Sequence, residues 1–185
     1  MILLGLGGNL PSRRFGPPER TLQAALVALE ERAIGVRRRS RWYRSQPVPD
    51  DGQPWYVNAV AEIDTALPPE ELLVRVLEAE AAFGRVRRRR WAPRVIDLDI
   101  LAYHERNNWD APPSVTPILP HPRLHERAFV LAPLAELAPA WRHPVLGRTA
   151  TELLEALPPG QFVAALEDAE PEVAARPVAG GARAR

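Results

Sequence analysis

The stretch that decides the fold spans residues 85–101 and reads RVRRRRWAPRVIDLDIL. It holds six arginines within its first ten residues, and an apolar run that carries two aspartates follows them. The apolar run predicts a β-strand. On a strand, Asp97 and Asp99 point to the same side with Cα atoms about 6 to 7 Å apart, while their apolar neighbours enter the core. The stretch therefore predicts a pair of carboxylates on one face of a sheet.

Two carboxylates beside a core require cations. Oxygen ligands suit Mg²⁺, which binds one or two protein carboxylates and takes its other ligands from water and substrate phosphates. The neighbouring arginines would bind the same phosphates through bidentate hydrogen bonds. The alternative is an edge strand whose two solvated acids prevent aggregation, next to a solvated basic loop. Spacing alone supports both interpretations about equally.

The composition limits the class of protein. A chain of 185 residues suffices for one domain, expected over residues 1–167, and residues 168–185 have the composition of a disordered tail. Without cysteine, disulfides and zinc thiolates are excluded. A net charge of +1 argues against a general nucleic-acid binder, although all basic residues are arginine and occur in runs. The N-terminus has no signal-peptide or membrane-span pattern, so we expect a cytoplasmic protein without membrane attachment, and a monomer.

The hydrophobic pattern predicts strands and helices in the order β, α, β, β, α, β. This is the ferredoxin-like split βαβ arrangement, an α+β fold (α/β sandwich) with an antiparallel sheet and, in this chain, C-terminal additions. The additions comprise a helix that opens between residues 120 and 129, a short helix after a capping box at Thr149 and Glu152, and a last strand. The predicted core elements are strand 2–7, helix 17–32, strand 36–45, strand 55–65, helix 68–83 and the strand that carries Asp97 and Asp99.

The strand at residues 55–65 alternates between apolar and polar side chains. Positions 57, 59, 61 and 63 are apolar, with Val60 as the exception, and Tyr56 and Asn58 lie on the other side. An aromatic plane beside an amide can stack on and hydrogen-bond a flat bicyclic ring. An ordinary exposed strand face would have the same pattern.

Two other polar positions have both a functional and a structural interpretation. Glu80 falls in the last turn of a predicted helix, where the helix dipole disfavours an acid, so it either binds a ligand or pairs with Arg85 or Arg87. His121 and His125 lie four residues apart, but the proline between them argues against a zinc pair. A histidine beside arginines better fits a hydrogen-bond donor to phosphate.

Five groups of residues, in order along the chain, carry a resemblance to a known family. They are Gly7-Gly8-Asn9-Leu10, Tyr43-Arg44-Ser45, residues 54–59 (PWYVNA), residues 84–101 with Gly84-Arg85-Val86-Arg87, Arg90-Trp91 and Pro93-Arg94, and Pro120-His121-Pro122-Arg123 with Arg127-Ala128-Phe129. Together these motifs span about residues 2–140 and resemble the signature of 6-hydroxymethyl-7,8-dihydropterin pyrophosphokinase. One such motif would be weak evidence, whereas five in register are specific.

The resemblance implies an enzyme that transfers diphosphate from ATP to the hydroxymethyl group of 6-hydroxymethyl-7,8-dihydropterin, leaving AMP, in folate synthesis. Its partners would be these two small molecules and not nucleic acid. Asp97 and Asp99 would hold two Mg²⁺ ions, and catalysis would rest on both aspartates with Arg85 and Arg94. The implied pterin contacts are Ser45, Val48, Tyr56, Asn58 and Phe129. The implied ATP contacts are Glu80, Arg85, Arg90, Trp91, Arg94, Ile100, His121 and Arg127.

The chain departs from the family pattern at a few positions. Gly8 stands where serine is usual, Ala92 where glycine is usual and Val95 where threonine is usual. Gly8 and Ala92 are small residues, so we expect no change in the type of reaction. Gln46 replaces a proline of some members at the start of a Pro/Gly/Asp loop, residues 46–54, which we expect to reorder when substrate binds.

A rival from another class is a non-catalytic RNA-binding module. Ferredoxin-like sheets bind RNA through surface aromatics, and Trp42, Tyr43, Trp55 and Tyr56 lie near arginine runs. The chain lacks the usual aromatic-glycine motif, however, and two carboxylates beside the basic patch would repel RNA phosphates. A different ATP-using transferase on the same sheet is a third interpretation, and only its substrate would distinguish it.

Overall fold

A computed structural model describes residues 1–47, 52–85, 92–112 and 114–167. The elements follow one another as β1 (Ile2–Gly8), α1 (Pro18–Glu30), β2 (Gly35–Arg39), β3 (Tyr43–Ser45), β4 (Tyr56–Asp64), α2 (Pro69–Ala82), β5 (Asp97–Tyr103), a 3₁₀ turn (Leu124–Glu126), α3 (Ala128–Leu137), α4 (Ala150–Glu155) and β6 (Val163–Ala165). The tail predicted at residues 168–185 lies outside the described residues. Within these ranges no helix is long and apolar enough to cross a membrane.

The strands form one antiparallel sheet in the order β5-β1-β4-β3-β6, and β2 also pairs with β4. The neighbours of the central strands β1 and β4 are those that a split βαβ arrangement requires, so the α+β prediction is confirmed. The strand predicted at residues 36–45 is divided into β2 and β3. The division falls between Arg39 and Tyr43, and a separate register shift in the pairing with β4 lies within β2, between Val36 and Arg38.

Helices cover both faces of the sheet, because successive apolar side chains of β1 point to opposite faces and each face needs a covering layer. Ile2, Leu4 and Leu6 pack with α1 and α2 in the larger core. Leu3 points to the opposite face and packs with α3 and α4 in a second core. The C-terminal helices therefore complete a sandwich that the βαββαβ core would leave open on one side.

The second core explains why Val60 departs from the alternation of β4. Its neighbours Ala59 and Ala61 belong to the larger core, whereas Val60 packs among the side chains of α3. The face that carries Asn58 is therefore covered rather than exposed, and Asn58 is only 4% accessible. This burial makes its hydrogen bonds matter, because an unpaired buried amide would cost stability.

Proline starts both helices of the larger core. Pro17 and Pro68 are the N-cap residues, and a second proline follows each at the first helical position, where no N–H is needed. The short α4 begins with the predicted capping box: the Thr149 hydroxyl accepts from the Glu152 N–H, and the Glu152 carboxylate accepts from the Thr149 N–H.

Candidate active site

A cavity of about 460 Å³ opens on the face of the sheet that α3 covers. β1 crosses its floor, with β4 on one side and β5 on the other. Gly7 pairs with Asn58 on β4 and with Asp97 on β5, and Gly5 pairs with Asp99. Because Gly7 carries no side chain, the Asn58 amide and the Asp97 side chain lie on either side of it with no side chain between them, whereas the Leu101 side chain covers Gly5.

Asp97 is bound by two arginines from outside its own strand. Arg85 Nη1 lies 2.6 Å from one carboxylate oxygen, and Arg94 Nη1 lies 2.5 Å from the other. All three side chains are partly buried, which strengthens their attraction relative to a surface ion pair. The predicted pair of carboxylates is thus combined with the predicted arginines in one cluster.

Asp99 lies deep in the cavity, where its carboxylate has little contact with solvent. Burial, followed by the charge of Asp97, raises its pKa to about 6, although Arg127 and the two arginines on Asp97 oppose the shift. A raised pKa means that the ionised carboxylate is disfavoured in this environment. A cation bound between the two carboxylates would stabilise both of them in their ionised form.

Glu80 is almost fully buried between α2 and β5. Its Oε1 accepts a hydrogen bond of 2.7 Å from the Leu98 N–H and also pairs with Arg85. Burial raises the pKa of Glu80 to about 7, while the Leu98 N–H and Arg85 lower it. The pairing with Arg85 matches the structural alternative from the sequence, and Glu80 reaches Asp97 only through that arginine.

The ionisation of Glu80 should make stability depend on pH. Its folded pKa lies above its unfolded value, so the native state binds more protons and this contribution to stability is lost as pH rises through about 7. Glu80→Gln cannot ionise. Between pH 5 and pH 8, we expect the free energy of unfolding of Glu80→Gln to gain up to about 3 kcal/mol relative to wild type, measured by urea denaturation. A difference between the two proteins that stays constant with pH would contradict the buried ionisation.

Four of the implied pterin contacts line the same cavity: Ser45, Tyr56, Asn58 and Phe129. Asn58 Nδ2 donates a buried hydrogen bond of 2.9 Å to Ser45 Oγ, which fixes the orientation of the amide. Tyr56 reaches the cavity from β4, and Phe129 reaches it from the first turn of α3. Val48, the fifth implied contact, lies outside the described residues.

Apart from Glu80 and His121, the implied ATP contacts fall into three groups. Arg85, Arg94 and Arg127 surround the two aspartates, and Arg94 and Arg127 line the cavity. The side chain of Ile100 packs into the larger core on the opposite face of the sheet, so only its backbone could contact a nucleotide. Arg90 and Trp91 lie outside the described residues.

His121 is neutral near pH 7. Burial and the nearby Arg127 lower its pKa to about 4. Its Nδ1 accepts from the Arg123 N–H at 3.1 Å, which leaves the proton on Nε2. His121 can therefore donate a hydrogen bond without adding charge, as expected for a neutral donor to phosphate.

Asn9 joins three segments around the cavity, which its motif alone did not indicate. Its Oδ1 accepts from the Arg94 N–H at 2.8 Å, and its Nδ2 donates to the Pro54 carbonyl at 3.0 Å. The Asn9 N–H in turn donates to the Arg94 carbonyl at 2.9 Å. The turn after β1 thus holds the segments that lead into β4 and β5.

Gly8 allows this close approach. A Cβ placed on Gly8 would lie 2.6 Å from the Val95 carbonyl oxygen, which belongs to the backbone and cannot swing away. The small residue is thus required by the packing of this chain, although serine is usual in the family whose motif it belongs to.

We expect Gly8→Ala to lower the free energy of unfolding by about 1 to 3 kcal/mol because the Val95 segment must move. Urea denaturation measures this loss. Gly35→Ala is the matched control, since the added Cβ would meet only the Asp64 carbonyl at an ordinary 3.6 Å. Wild-type stability of Gly8→Ala would show that the segment can shift at no cost.

Comparison with known proteins identifies the family. The family model described as 7,8-dihydro-6-hydroxymethylpterin-pyrophosphokinase (HPPK) matches residues 3–139. The chain belongs to the HPPK family. It is 41% identical to the 2-amino-4-hydroxy-6-hydroxymethyldihydropteridine pyrophosphokinase of Synechocystis, over 83% of this chain and 74% of the relative. The pyrophosphokinase of that name from Methylorubrum extorquens is 45% identical over 84% and 92% of the two chains.

Solved structures support the fold of this HPPK chain. The crystal structure of Plasmodium falciparum HPPK-DHPS with pteroate superposes with a TM-score of 0.61 and 13% identity, covering 83% of this chain and 43% of that one. The chain thus spans less than half of that protein. At this identity the likeness shows the fold alone.

Membership of the HPPK family establishes the activity. The enzyme uses ATP as co-substrate and transfers its terminal diphosphate to 6-hydroxymethyl-7,8-dihydropterin in folate synthesis, yielding the pterin diphosphate and AMP. Both substrates are small molecules. This confirms the function implied by the motifs and favours it over the RNA-binding alternative.

Several cavity residues of this HPPK chain are absent from the sequence-derived set, among them Gln53, Arg123 and Gln161. Arg123 stands inside a recognised motif and could have been included on that ground. Gln161 lies beyond the last motif, so only its position in the folded chain identifies it.

Proposed function

We propose that the cavity binds the pterin at its β4 side and the triphosphate of ATP at its β5 side. The observation that carries this assignment is the pairing of Gly7 with Asn58 on one side and with Asp97 on the other. A ring held at Asn58 would present its hydroxymethyl group toward phosphates held near Asp97. Gly7 has no side chain to separate the two groups, since the space a Cβ would take there is bordered by the Asn58 Oδ1 and the Asp97 Cβ.

The pterin would stack between Tyr56 and Phe129. Asn58 would hydrogen-bond the edge of the ring, because its amide can donate and accept at once. The hydrogen bond to Ser45 fixes this amide before substrate arrives, so little orientational freedom is lost on binding. Val48 is retained as a proposed contact by family resemblance alone.

The aspartates fit Mg²⁺. Their donors are oxygens only, and among the described residues no group of three or more Asp, Glu, His or Cys side chains could hold a metal by itself. Mg²⁺ accepts such a partial site because it takes its remaining ligands from water and phosphates. We propose that Asp97 and Asp99 hold two Mg²⁺ ions, which would neutralise the triphosphate and orient the hydroxyl group for attack.

The arginines would stabilise the phosphate charge as it moves during transfer. Arg85, Arg94 and Arg127 already lie around the aspartates, where guanidinium groups can bind phosphate oxygens in pairs. Glu80 would act by holding Arg85 in place, and His121 would add a neutral donor. Catalysis on this proposal is mainly positioning and electrostatics, as in phosphoryl transfer generally.

The remaining ATP contacts rest on family resemblance. We propose ATP contacts from Arg90, Trp91 and the backbone of Ile100. We further propose that residues 1–167 form one domain that acts as a cytoplasmic monomer. Size-exclusion chromatography with light scattering tests the oligomeric state directly.

Transfer of the terminal diphosphate requires that the hydroxymethyl oxygen attack the β-phosphorus of ATP, and product analysis tests this step. The purified protein is incubated with ATP, Mg²⁺ and 6-hydroxymethyl-7,8-dihydropterin, and nucleotides are separated by chromatography. We expect AMP in amounts equal to the pterin diphosphate. The 6-methyl analogue, which lacks the attacking oxygen, is the matched control and should yield none. Formation of ADP would mean transfer of a single phosphoryl group and would overturn the proposed geometry.

A further inference from the structure

Gln161 contacts the active site from outside the region that defines the family. The family match ends at residue 139, yet Gln161 lines the cavity from the segment before β6. Both ends of its amide are used: Oε1 accepts from the Ala128 N–H at 2.9 Å, and Nε2 donates to the Glu126 carbonyl at 2.9 Å. A single side chain therefore holds both sides of Arg127.

The segment that Gln161 holds has no cap of its own. Ala128 is the first residue of α3, and its N–H has no partner within the helix because it belongs to the first turn. Arg127, the N-cap residue, supplies no side-chain hydrogen bond. Gln161 thus takes the place of a capping residue, although it lies 33 positions away in the chain.

The side chains that this segment directs are those of the proposed site. Arg127 lines the cavity together with Asp99, and Phe129 lines it where the pterin would stack. Rotation of the backbone between Glu126 and Ala128 would move both side chains. Their position therefore depends on the hydrogen bonds of Gln161.

Gln161 is itself anchored to the opposite wall of the cavity. Val163 of β6 pairs with Ser45 of β3, and the Leu166 N–H donates to the Trp42 carbonyl at 2.7 Å. Ser45 is the residue that accepts from Asn58. The segment before β6 thus connects the wall that carries Asn58 with the wall that carries Phe129.

We propose that Gln161 is a positioning residue, which holds the backbone at Glu126 and Ala128 so that Phe129 and Arg127 meet the substrates. This inference rests on the proposed function, in which Phe129 stacks on the pterin. The role needs a donor and an acceptor on one side chain. Methionine has a similar shape and neither group, and glutamate at neutral pH keeps only the acceptor.

The experiment measures the pterin Kd by calorimetry with a non-hydrolysable ATP analogue and Mg²⁺, well below the melting temperature. We expect Gln161→Met to weaken pterin binding about tenfold and Gln161→Glu about threefold, since two neutral hydrogen bonds and one are lost. Gln23→Met, on the exposed face of α1, is the control and should bind as wild type. In a Phe129→Ala background, Gln161→Met should change the pterin Kd less than twofold, because Phe129 is the one of the two positioned side chains that would contact the pterin.

Three results would overturn the inference. In the first, Gln161→Met and Gln161→Glu each melt at a lower temperature but bind pterin within twofold of wild type, while Phe129→Ala binds pterin weakly. Gln161 then has only a structural role, and the proposed function stands. An equal loss from Gln161→Met with and without Phe129 would show that it acts by another route. Wild-type pterin binding by Phe129→Ala would instead remove Phe129 from the proposed function, and with it the route by which Gln161 acts.

Discussion

Replacing Asp97 with asparagine should lower kcat by about 10³-fold or more while the protein stays folded. Asparagine has nearly the same shape, but it lacks the charge that would hold Mg²⁺ and that now binds Arg85 and Arg94. Arg85 would keep its pairing with Glu80, and Arg94 its hydrogen bond to the Ala92 carbonyl. The measurement is AMP formation at saturating ATP and pterin, with Mg²⁺ titrated over a wide range.

The control for this experiment is Asp64→Asn. Asp64 also ends a strand of the sheet and pairs with an arginine, Arg37, but both side chains are largely exposed and lie away from the cavity. The activity of Asp64→Asn should equal that of the wild-type protein. Asp99→Asn should lose activity as Asp97→Asn does, because the two carboxylates would act together. Activity of Asp97→Asn within tenfold of wild type, with an unchanged Mg²⁺ requirement, would remove Asp97 from the metal site.

The local hydropathy pattern was sufficient to predict the helices and strands that bury one regular apolar face. The helix predicted at residues 17–32 is observed as Pro18–Glu30, and the one predicted at residues 68–83 as Pro69–Ala82. Proline at the start and an apolar stripe along the helix are both sequence-local signals. Asp97 and Asp99 share a face for the same reason, since alternation along a strand needs no knowledge of the partner strands.

The hydropathy pattern did not predict features that depend on contacts between distant parts of the chain. The break between β2 and β3 falls near Ser40, whose Oγ accepts from the Val60 N–H at 3.1 Å and whose N–H donates to the Val60 carbonyl. This contact joins residues 20 positions apart and leaves no mark in the hydropathy pattern. Val60 itself departed from alternation because α3, a later element, covers its face of the sheet.

The residues of the site likewise divide into those that the sequence could identify and those that only the structure identifies. The side chains of Asp97 and Asp99 could be placed by alternation, and those of Ser45 and Phe129 by family resemblance. Asn9 and Gln161 could not be assigned a role, because the backbone groups they bind lie 85 and 33 positions away. Residues that shape a site through backbone hydrogen bonds have no preferred spacing, so only the folded chain identifies them.

Replacing Tyr56 with alanine should weaken pterin binding about 10- to 100-fold and leave ATP binding within about threefold of wild type. The expected loss is that of one aromatic stacking surface on a flat heterocycle, about 1 to 3 kcal/mol. Tyr56 lies at the start of β4 beside Ser45 of β3, and β1 separates β4 from β5, the strand that carries the aspartates. The pterin Kd is measured by calorimetry with a non-hydrolysable ATP analogue, and the analogue Kd is measured alone.

Trp55→Ala separates stacking from a general loss of aromatic packing. Trp55 directly precedes Tyr56, is 39% exposed, and packs against Phe162 and Arg44. Trp55→Ala removes more aromatic surface than Tyr56→Ala, but Trp55 is not among the residues that line the cavity. Pterin binding by Trp55→Ala should therefore stay within about threefold of wild type. Equal losses of pterin and ATP binding in Tyr56→Ala would indicate a distorted site, whereas a selective loss of pterin binding assigns the stacking surface to Tyr56.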